Sequence, residues 1–515
     1  MGLEIDREQF SDADYAAFSE QLERNLRALR SVMGRPGFGR GPLSIGAELE
    51  LNLVDAKGQP LPKNHEVLED APDSRISHEI NRFNLEINAR PVLLAGRSLS
   101  AMQGELAGAL AGTRRAAALH GGRIVAIGIL PTLTEGDLTS HMLSDSMRYR
   151  ALAAGIARLK GEPFRVQISG QDELSLSVPD VTFEGANTSF QVHLDVAPER
   201  FADMYNAAQL ATGPALAVAC NSPSFLGRRL WQETRVALFR QAVDDRASAS
   251  EDDWRPARVS FGHGWVRRDA FELFAEVVAQ HEPLLPALSG EDAEAVCRAG
   301  GVPELAELCL HLGTVWRWNR PVYDASGAGN LRIELRALPA GPTATDMVAN
   351  LAFLVGLTLG LAPHMSEHTA RISFGQTRRN FYEAARVGLA AELLWPAERA
   401  PSPRLSTVQE ALPELLRLAR EGLVNEGGVE PAEADAWLGI IRERAGRGRT
   451  PASWQSELYE QLRKRLPARE AWSALLEHYL ELSQAEQPLH TWTDPKELRD
   501  DLQARGDPQA LSARL

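Results

Sequence analysis

The fold of this chain is decided at residues 44–54, which read SIGAELELNLV. Successive side chains of a β-strand point to opposite faces of a sheet, and this stretch alternates accordingly. One face collects Ala47, Leu49, Leu51 and Leu53, and the other collects Glu48, Glu50 and Asn52. The pattern therefore predicts a strand with a buried apolar face and with two carboxylates side by side on the opposite face.

Three later stretches repeat this alternation: FNLEINAR at 83–90, NTSFQVHLDV at 187–196 and NLRIELRAL at 330–338. Their polar faces carry Asn84, Glu86, Asn88 and Arg90; Ser189, Gln191, His193 and Asp195; and Arg332, Glu334 and Arg336. Each strand alone is typical of an antiparallel sheet with one solvated face. A solvated face usually includes lysine, however, and the four stretches contain none. We therefore expect the four polar faces to line one shared site.

The residue types on these faces indicate a metal-dependent reaction. Clustered carboxylates with a histidine repel one another unless cations neutralise them, and hard divalent ions such as Mg²⁺ or Mn²⁺ take oxygen ligands. His193 alone would be read as a structural histidine, but its acidic neighbours favour a ligand. Arg332 and Arg336 can grip phosphate oxygens with two parallel hydrogen bonds. Carboxylates, divalent ions and arginines together suggest phosphoryl transfer.

Composition excludes several other classes of protein. Lys and Arg number 55 against 69 Asp and Glu, a formal charge of −14, which disfavours binding to nucleic acid or to an anionic membrane. The three cysteines are too few and too scattered for a disulfide framework, so we expect a cytoplasmic protein. The apolar stretch 347–362 is shorter than the roughly 20 residues that span a bilayer, which predicts a buried core helix.

Helical periodicity fills most of the remaining chain. It predicts a first helix over 11–33 with Ser11 as N-cap, and further helices at about 98–119, 146–160, 199–218, 232–246, 268–280 and 343–362. Additional strands are predicted at about 122–129, 164–169 and 173–178. From about residue 378 the pattern is almost wholly helical and offers no convincing strand. We therefore divide the chain into a catalytic domain with an N-terminal helix at 1–390 and a helical C-terminal region at 391–515, which either packs on the sheet or forms a separate domain.

Four motifs resemble the type 2 glutamate-cysteine ligases, a group of carboxylate-amine ligases related to glutamine synthetase. SIGAELEL resembles the opening Gly-x-Glu-x-Glu strand of that family, and ANTSFQVHLDV its histidine-bearing strand. CNSPSFLGRRLWQETR resembles its Asn-Ser-Pro loop and arginine helix, and LRIELRALPAGPT its Glu-x-Arg strand. The resemblance covers residues 40–390. The family's Gly-Arg-Asp-Thr-Gly stretch is replaced by Gly-Arg-Arg-Leu-Trp at 227–231, which leaves the substrate open.

This resemblance implies an α+β fold: a glutamine-synthetase-like curved antiparallel sheet with flanking helices, holding ATP and two or three divalent ions, Mg²⁺ or Mn²⁺. The metal ligands that it implies are Glu48, Glu50, Glu86, His193 and Glu334. Arg336 would contact the ATP phosphates, with Arg332 beside it, and Glu334 and Arg336 would be the catalytic pair. Arg235 would bind the carboxylate of the amino-acid substrate. Glu79 would also bind the substrate. Its strand parity is opposite to that of the other acids, so the chain must bend for Glu79 to join them.

We expect an ATP-dependent ligase that phosphorylates the γ-carboxylate of glutamate, after which the amine of cysteine attacks the acyl phosphate. Another acceptor amine is the first alternative. Two further alternatives remain open: glycoside hydrolysis with Glu48 and Glu86 as acid and base, and a non-catalytic nucleotide- or metal-binding protein of the same fold. The expected partners are small amino acids and ATP, without nucleic acid or membrane, and the oligomeric state is not predicted. The loop 324–329 is either a simple strand connection or a glycine-rich approach to a nucleotide.

Overall fold

A computed structural model describes residues 3, 5–71, 73–246, 255–396 and 402–497. It confirms the predicted α+β class. Thirteen strands lie within the described ranges: β1 (Ser44–Val54), β2 (Ile76–His78), β3 (Asn84–Leu93), β4 (Arg123–Val125), β5 (Phe164–Ser169), β6 (Glu173–Val178), β7 (Phe190–Asp195), β8 (Ser224–Phe225), β9 (Arg228–Arg229), β10 (Asn319–Asp324), β11 (Asn330–Leu335), β12 (Glu392–Trp395) and β13 (Arg404–Thr407).

The four strands with alternating patterns are consecutive neighbours in one sheet. The seven-stranded sheet has the order β10-β11-β7-β1-β3-β2, with β4 also paired to β1, and every pairing is antiparallel. The register places Glu50 opposite Glu86, Glu48 opposite Gln191, and Glu334 opposite His193. The polar side chains of neighbouring strands therefore stand next to one another on one face.

The other face of the sheet is the core. Leu49, Ile87, Val192 and Ile333 are all completely buried, and the helices pack behind them. The described helices are α1 (Asp12–Met33), α2 (Asn64–Glu69), α3 (Ser98–Leu119), α4 (Met147–Lys160), α5 (Phe201–Ala219), α6 (Thr234–Ala242), α7 (Phe271–Gln280), α8 (Ala293–Arg298), α9 (Ala306–Leu312), α10 (Ala344–Leu361), α11 (Met365–Arg371), α12 (Phe374–Val387), α13 (Val408–Glu421), α14 (Pro431–Gly446), α15 (Pro451–Arg463) and α16 (Ala468–Gln484).

Helix α10 is the apolar segment that the sequence assigned to the core. The stretch 344–371 is long and apolar enough to cross a membrane, but 89% of its most apolar 18-residue window is buried inside the protein. Helices α5 and α13 pack against α10. The contact with α13 is so close that a Cβ atom on Gly360 would lie 2.2 Å from the carbonyl oxygen of Leu418. The prediction of a buried core helix is confirmed.

The first helix begins as predicted. Ser11 caps α1, and its hydroxyl accepts a hydrogen bond from the backbone N–H of Asp14 at 3.3 Å. The carboxylate of Asp14 in turn accepts from the backbone N–H of Ser11 at 2.8 Å, so each residue satisfies an N–H that the helix leaves free.

The prediction that no strand follows residue 378 was wrong. Strands β12 and β13 form a hairpin between α12 and α13. Four-residue strands give too short an alternation to stand out from the surrounding helical periodicity. The predicted break at Pro401 to Pro403 begins outside the described residues, since Pro401 is not among them. The strand expected over 122–129 is also shorter than predicted, because only Arg123–Val125 pair with β1.

The C-terminal helices are joined to the core through helix α10. Helices α13 and α14 contact α10, and the guanidinium of Arg444 in α14 is paired with Asp346 of α10 at 2.7 Å, with both side chains fully buried. Such a pair is costly to break, since either charge alone would be left unpaired in the interior. The division of the chain at residue 390 stays a prediction.

Candidate active site

Three predicted metal ligands meet at the centre of the polar face. Glu48, His193 and Glu334 each offer a ligand atom, and these atoms all lie within 4.8 Å of one another. We call these three residues the triad. The Nε2 atom of His193 lies 3.0 Å from Oε1 of Glu48, and the Nδ1 atom is buried without a hydrogen-bond partner among the described residues. Two carboxylates and an imidazole at this spacing fit one divalent ion.

Two arginines hold the carboxylate of Glu334. Arg336 donates to Oε1 at 2.9 Å, and Arg320 on the edge strand β10 donates to both oxygens. Burial would raise the pKa of Glu334, which is only 1% exposed, but Arg320 and Arg336 hold that pKa well below its usual range. Burial also opposes protonation of His193, but Glu48 raises the pKa of that imidazole. The triad therefore has its own counter-charges.

A second group of acids lies beside the triad, toward strand β3. We call Glu50, Glu79, Glu86 and Glu184 the acidic cluster. Glu50 accepts hydrogen bonds from the backbone N–H of Ser189 at 2.7 Å and from Nε2 of Gln191 at 2.9 Å. Glu86 accepts one from Nδ2 of Asn88 at 2.6 Å.

The acidic cluster has few cations of its own. Burial, followed by the charges of Glu48 and Glu79, raises the pKa of Glu86 well above its usual value. Burial and the charge of Glu50 raise the pKa of Glu79 to about 8. Carboxyls with pKa values raised in this way hold protons until a cation displaces them, which is the behaviour expected of empty cation ligands.

Glu79 reaches the acidic cluster because the chain bends after strand β2. The sequence analysis required such a bend, since the strand parity of Glu79 is opposite to that of the other acids. Strand β2 ends at His78, and the chain turns back through 80–83 to enter β3. The backbone N–H of Ile80 donates to the Glu79 carboxylate at 3.0 Å, which fixes the side chain next to Glu86. The alternation rule placed Glu79 on the wrong face because the residue lies beyond the strand.

Arg235 lies at the N-terminal end of helix α6, next to the acidic cluster. Its Nε donates to Glu233 at 3.0 Å and its Nη2 donates to the carbonyl oxygen of Ala337, while only 3% of the side chain is exposed. The charge of Arg235 lowers the pKa of Glu50 against the larger effect of burial. The guanidinium is therefore held in a buried ion pair, and its binding of a substrate carboxylate stays a prediction.

Arg332 lies at the other end of the face, away from the acidic cluster. It is paired with Asp324 and stands opposite Asp195 in the neighbouring strand β7. Arg332 lies two residues before Glu334 in β11, just as Arg336 lies two residues after it. Among the described contacts, however, Arg336 donates to Glu334 whereas Arg332 donates to Asp324.

A cavity of about 470 Å³ opens beyond Arg332. It lies between the glycine-rich loop 37–43, the end of β7 and the loop that joins β10 to β11. Gly329 in that loop has φ +83°, and a Cβ there would lie 2.8 Å from the ring of Phe38. The glycine is thus required by the turn and by close packing, and the same loop also lines the cavity.

Two residues of the site were not identified as such from the sequence. Arg320 follows a tryptophan-rich stretch and precedes Pro321, so strand β10 was not predicted and the place of Arg320 on the polar face was missed. Glu184 lies in a short 3₁₀ turn, Glu184–Ala186, where no periodicity exists to assign its direction. In β10, Arg320 and Asp324 share a face with the apolar Val322, so the alternation was too weak to predict a strand. Glu184 lies in no repeating pattern.

Comparison with known proteins identifies a sequence family. The sequence profile of glutamate-cysteine ligase family 2 matches residues 44–478, well over half of the chain. The match crosses residue 390 and includes most of the described C-terminal helices. A search of curated proteins found no match.

Among solved structures, the chain is similar to the glutamate-cysteine ligase of Francisella tularensis in complex with AMP, with a TM-score of 0.53 and 12% identity over 90% of this chain and 93% of that one. Two weaker likenesses also have 12% identity. The bifunctional glutathione synthetase of Pasteurella multocida has a TM-score of 0.45, covering 89% of this chain and 53% of that one. The Pup ligase PafA in complex with Pup has a TM-score of 0.36, covering 92% and 78%. The first likeness shows a shared fold.

Proposed function

Because the chain belongs to glutamate-cysteine ligase family 2, a family of carboxylate-amine ligases, we propose that it uses ATP to join the γ-carboxylate of glutamate to the amine of cysteine. The observation that supports this proposal is the triad, in which Arg320 and Arg336 hold the carboxylate of Glu334, with the acidic cluster beside it. Glycoside hydrolysis needs only two carboxylates and gives no role to the arginines that hold Glu334.

The nucleotide is best accommodated at the Arg332 end. A base and ribose in the 470 Å³ cavity would place the phosphates over Arg332 and the triad, which follow along the same strands. Arg332 would contact the phosphates nearest the cavity, and Arg336 would contact the transferring phosphoryl group. Both guanidiniums are already oriented, by Asp324 and Glu334 respectively, so little ordering remains to be done at the moment of reaction.

The triad fits a divalent ion, with Mg²⁺ or Mn²⁺ as the expected occupant. Glu48, His193 and Glu334 would hold one ion, and we propose that Glu50 and Glu86 hold a second. Such ions, when bound, neutralise phosphate charge and polarise the phosphoryl oxygens. Gln191 links the two groups, since its amide nitrogen donates to Glu50 while its amide oxygen accepts from Arg336. The amide therefore fixes both partners in position.

The amino-acid substrates would lie at the acidic end of the face. Arg235 would bind the glutamate carboxylate, and Glu79 would lie close to the substrate ammonium. The acyl phosphate would form next to Arg336 and would be attacked there by the amine. Water must be excluded because the intermediate hydrolyses readily. We propose small amino acids and ATP as the only partners, in the cytoplasm, without nucleic acid or membrane.

The test is release of ADP and phosphate across a panel of amino acids, with and without Mg²⁺. The proposal expects release that requires glutamate, an amine and the ion together, with cysteine the best acceptor. Release with glutamate and another amine would assign that amine instead. A protein that binds ATP without any release across the panel would be a non-catalytic member of the fold.

A further inference from the structure

The cavity of about 470 Å³ beyond Arg332 has the composition of a small-molecule site. Apolar side chains such as Leu43 and Met204 line it together with several glycines, and only three of its lining side chains are charged. Pockets that bind small molecules are mostly apolar, with a small number of polar groups that fix the orientation of the ligand. Those polar groups therefore indicate which part of a ligand this cavity would hold.

Two of the three charged residues that line the cavity are engaged by partners outside its lining. Arg40 is paired with Glu199 at 2.6 Å, and Arg200 is paired with Glu426 at 2.7 Å. The third charged residue is Asp195, which forms no ion pair with any residue of the described chain. Asp195 is therefore the charge that the cavity keeps for a ligand.

Asp195 and Asn330, which both line the cavity, each have one oxygen without a hydrogen-bond donor. The Oδ2 atom of Asp195 accepts a hydrogen bond from the hydroxyl of Ser44, but its Oδ1 atom is buried and has no partner among the described residues. The Oδ1 atom of Asn330 is likewise buried without a partner in that part of the chain. A buried acceptor without a donor is costly, and the terminal torsion of either side chain is soft enough to turn its oxygen toward the cavity. The cavity therefore suits a ligand group that carries two donors.

The register of the sheet places Asp195 one row beyond the triad. His193 of the triad stands opposite Glu334, and two residues away in each strand Asp195 stands opposite Arg332. Residues two apart in a strand share a face, so both rows belong to the polar face. A nucleotide with its phosphates over Arg332 and the triad would present to Asp195 the group that is attached to those phosphates. That group is the ribose, whose neighbouring 2′- and 3′-hydroxyls are two donors.

We propose that Asp195 binds the ribose hydroxyls of the nucleotide and thereby selects ribonucleotides over deoxyribonucleotides. This inference rests on the proposed ATP-dependent function and adds a specificity-determining residue to it. An ionised carboxylate is an acceptor only, with lone pairs on both oxygens, and an acidic residue binds a ribose hydroxyl in the same way in dinucleotide-binding folds. The hydrogen bond from Ser44 holds Oδ2 of Asp195 in place, which leaves Oδ1 for the ribose.

Two other ligand groups match the cavity less well. The amino group of adenine also carries two donors, but it lies at the far side of the base, much further from the phosphates than the ribose hydroxyls do. A divalent ion takes six or more oxygen ligands, and the positively charged Arg332 stands directly opposite Asp195 in the sheet. A like charge at that position disfavours an ion and leaves a hydroxyl donor unaffected.

The experiment measures the affinity of the protein for ADP, 2′-deoxy-ADP and 3′-deoxy-ADP by calorimetric titration in the presence of Mg²⁺. ADP binds without turnover, so the result does not depend on which amino acids are the substrates. We expect the wild-type protein to bind at least one deoxy form roughly 10-fold more weakly than ADP, the effect of losing a hydrogen bond to a charged acceptor. In Asp195→Ala the affinity for ADP should fall roughly 10- to 100-fold. The preference of this variant for ADP over the same deoxy form should shrink to within about twofold, because the hydroxyl has lost its partner.

Two further variants separate ribose binding from a structural role. Asp195→Asn keeps the size of the side chain and one acceptor oxygen, so its preference for ADP should lie between those of wild type and Asp195→Ala. It decides the same question if the alanine variant does not fold, as checked by circular dichroism. Asp180→Ala is the matched control, since Asp180 is a half-buried aspartate that accepts a hydrogen bond from the hydroxyl of Thr182 but does not line the cavity. This control should keep the wild-type preference for ADP.

Two outcomes would overturn the assignment of Asp195 while leaving the proposed function in place. They are equal affinity of the wild-type protein for all three nucleotides, and a preference for ADP that persists unchanged in the folded Asp195 variants. A wild-type protein that binds none of the three nucleotides would overturn the ATP-dependent function, and the role of Asp195 with it.

Discussion

The triad and the acidic cluster lie side by side on one sheet face, yet the protein treats their carboxyls in opposite ways. Glu334 in the triad is held by two arginines, which keep its pKa low despite complete burial. Glu79 in the acidic cluster has acids for neighbours, and its pKa rises to about 8. Glu334 is thus charged before any ligand arrives, whereas Glu79 and Glu86 lie among acids whose charges raise their pKa values.

This difference separates two tasks on one surface. Preorganised charge is useful where a phosphoryl group has to be held, since nothing then needs to rearrange in the transition state. Uncompensated acids are useful where cations have to be bound, since each cation removes an electrostatic cost. Gln191 joins the two regions through hydrogen bonds to Glu50 and Arg336.

The largest expected effect is at the centre of the triad. Glu334→Gln keeps the size of the side chain but removes the charge that pairs with Arg320 and Arg336. We expect kcat/KM to fall on the order of 10³-fold, because the ion and the nucleotide are bound together. Steady-state kinetics and Mn²⁺ titration would measure the two losses. A folded variant with normal turnover would remove Glu334 from the metal site.

A smaller loss is expected for Arg336→Lys. Lysine keeps the charge but loses the planar guanidinium, whose Nη1 donates to both Glu334 and Gln191. Turnover should fall on the order of 10²-fold if the guanidinium also contacts the transferring phosphoryl group. Arg123→Lys is the matched control, since Arg123 is a half-buried arginine paired with Glu477 away from this face. Near-normal turnover in Arg336→Lys would reduce its role to charge neutralisation.

The sequence predicted the parts of this surface that obey a period of two. Glu48, Glu50, Glu86, His193 and Glu334 were placed on one face by alternation alone, and the structure brings their strands together in that arrangement. The lack of lysine then indicated that the face was more than a solvated surface. Long strands are readable in this way because a one-residue slip would bury the whole polar set.

The site residues that the sequence could not predict lie where the two-residue alternation of the strands ends. Glu79 follows the end of a three-residue strand, Glu184 lies in a 3₁₀ turn, and Arg320 lies in a strand that includes a proline. Their directions are set by tertiary contacts, such as the packing of Gly185 on Asn81, which no local pattern reports. The hairpin of β12 and β13 was missed because its four-residue strands are too short for an alternating pattern to stand out.

The smallest expected effect is on stability, and it tests the acidic cluster directly. In the folded protein Glu79 and Glu184 have pKa values of about 8, above the ordinary value of roughly 4.3 for glutamate in an unfolded chain. Between these limits the folded state binds protons that the unfolded state has lost, so the free energy of unfolding falls as pH rises through this window. A divalent ion binds the deprotonated carboxyls and should reverse that loss.

We therefore expect the increase in Tm on adding Mn²⁺ to a chelator-treated protein to be larger at about pH 8 than at about pH 6, by a few degrees. Thermal unfolding followed by circular dichroism measures this difference, with a monovalent salt at equal ionic strength as control. Glu79→Gln should reduce the pH dependence, because the variant has lost a titrating carboxyl of the cluster. Glu48→Gln should reduce the increase in Tm that Mn²⁺ causes, because Glu48 belongs to the triad. It should leave most of the pH dependence of Tm in the ion-free protein. An increase in Tm that is equal at both pH values, or larger at the lower one, would show that the two regions do not differ in the way their pKa values indicate.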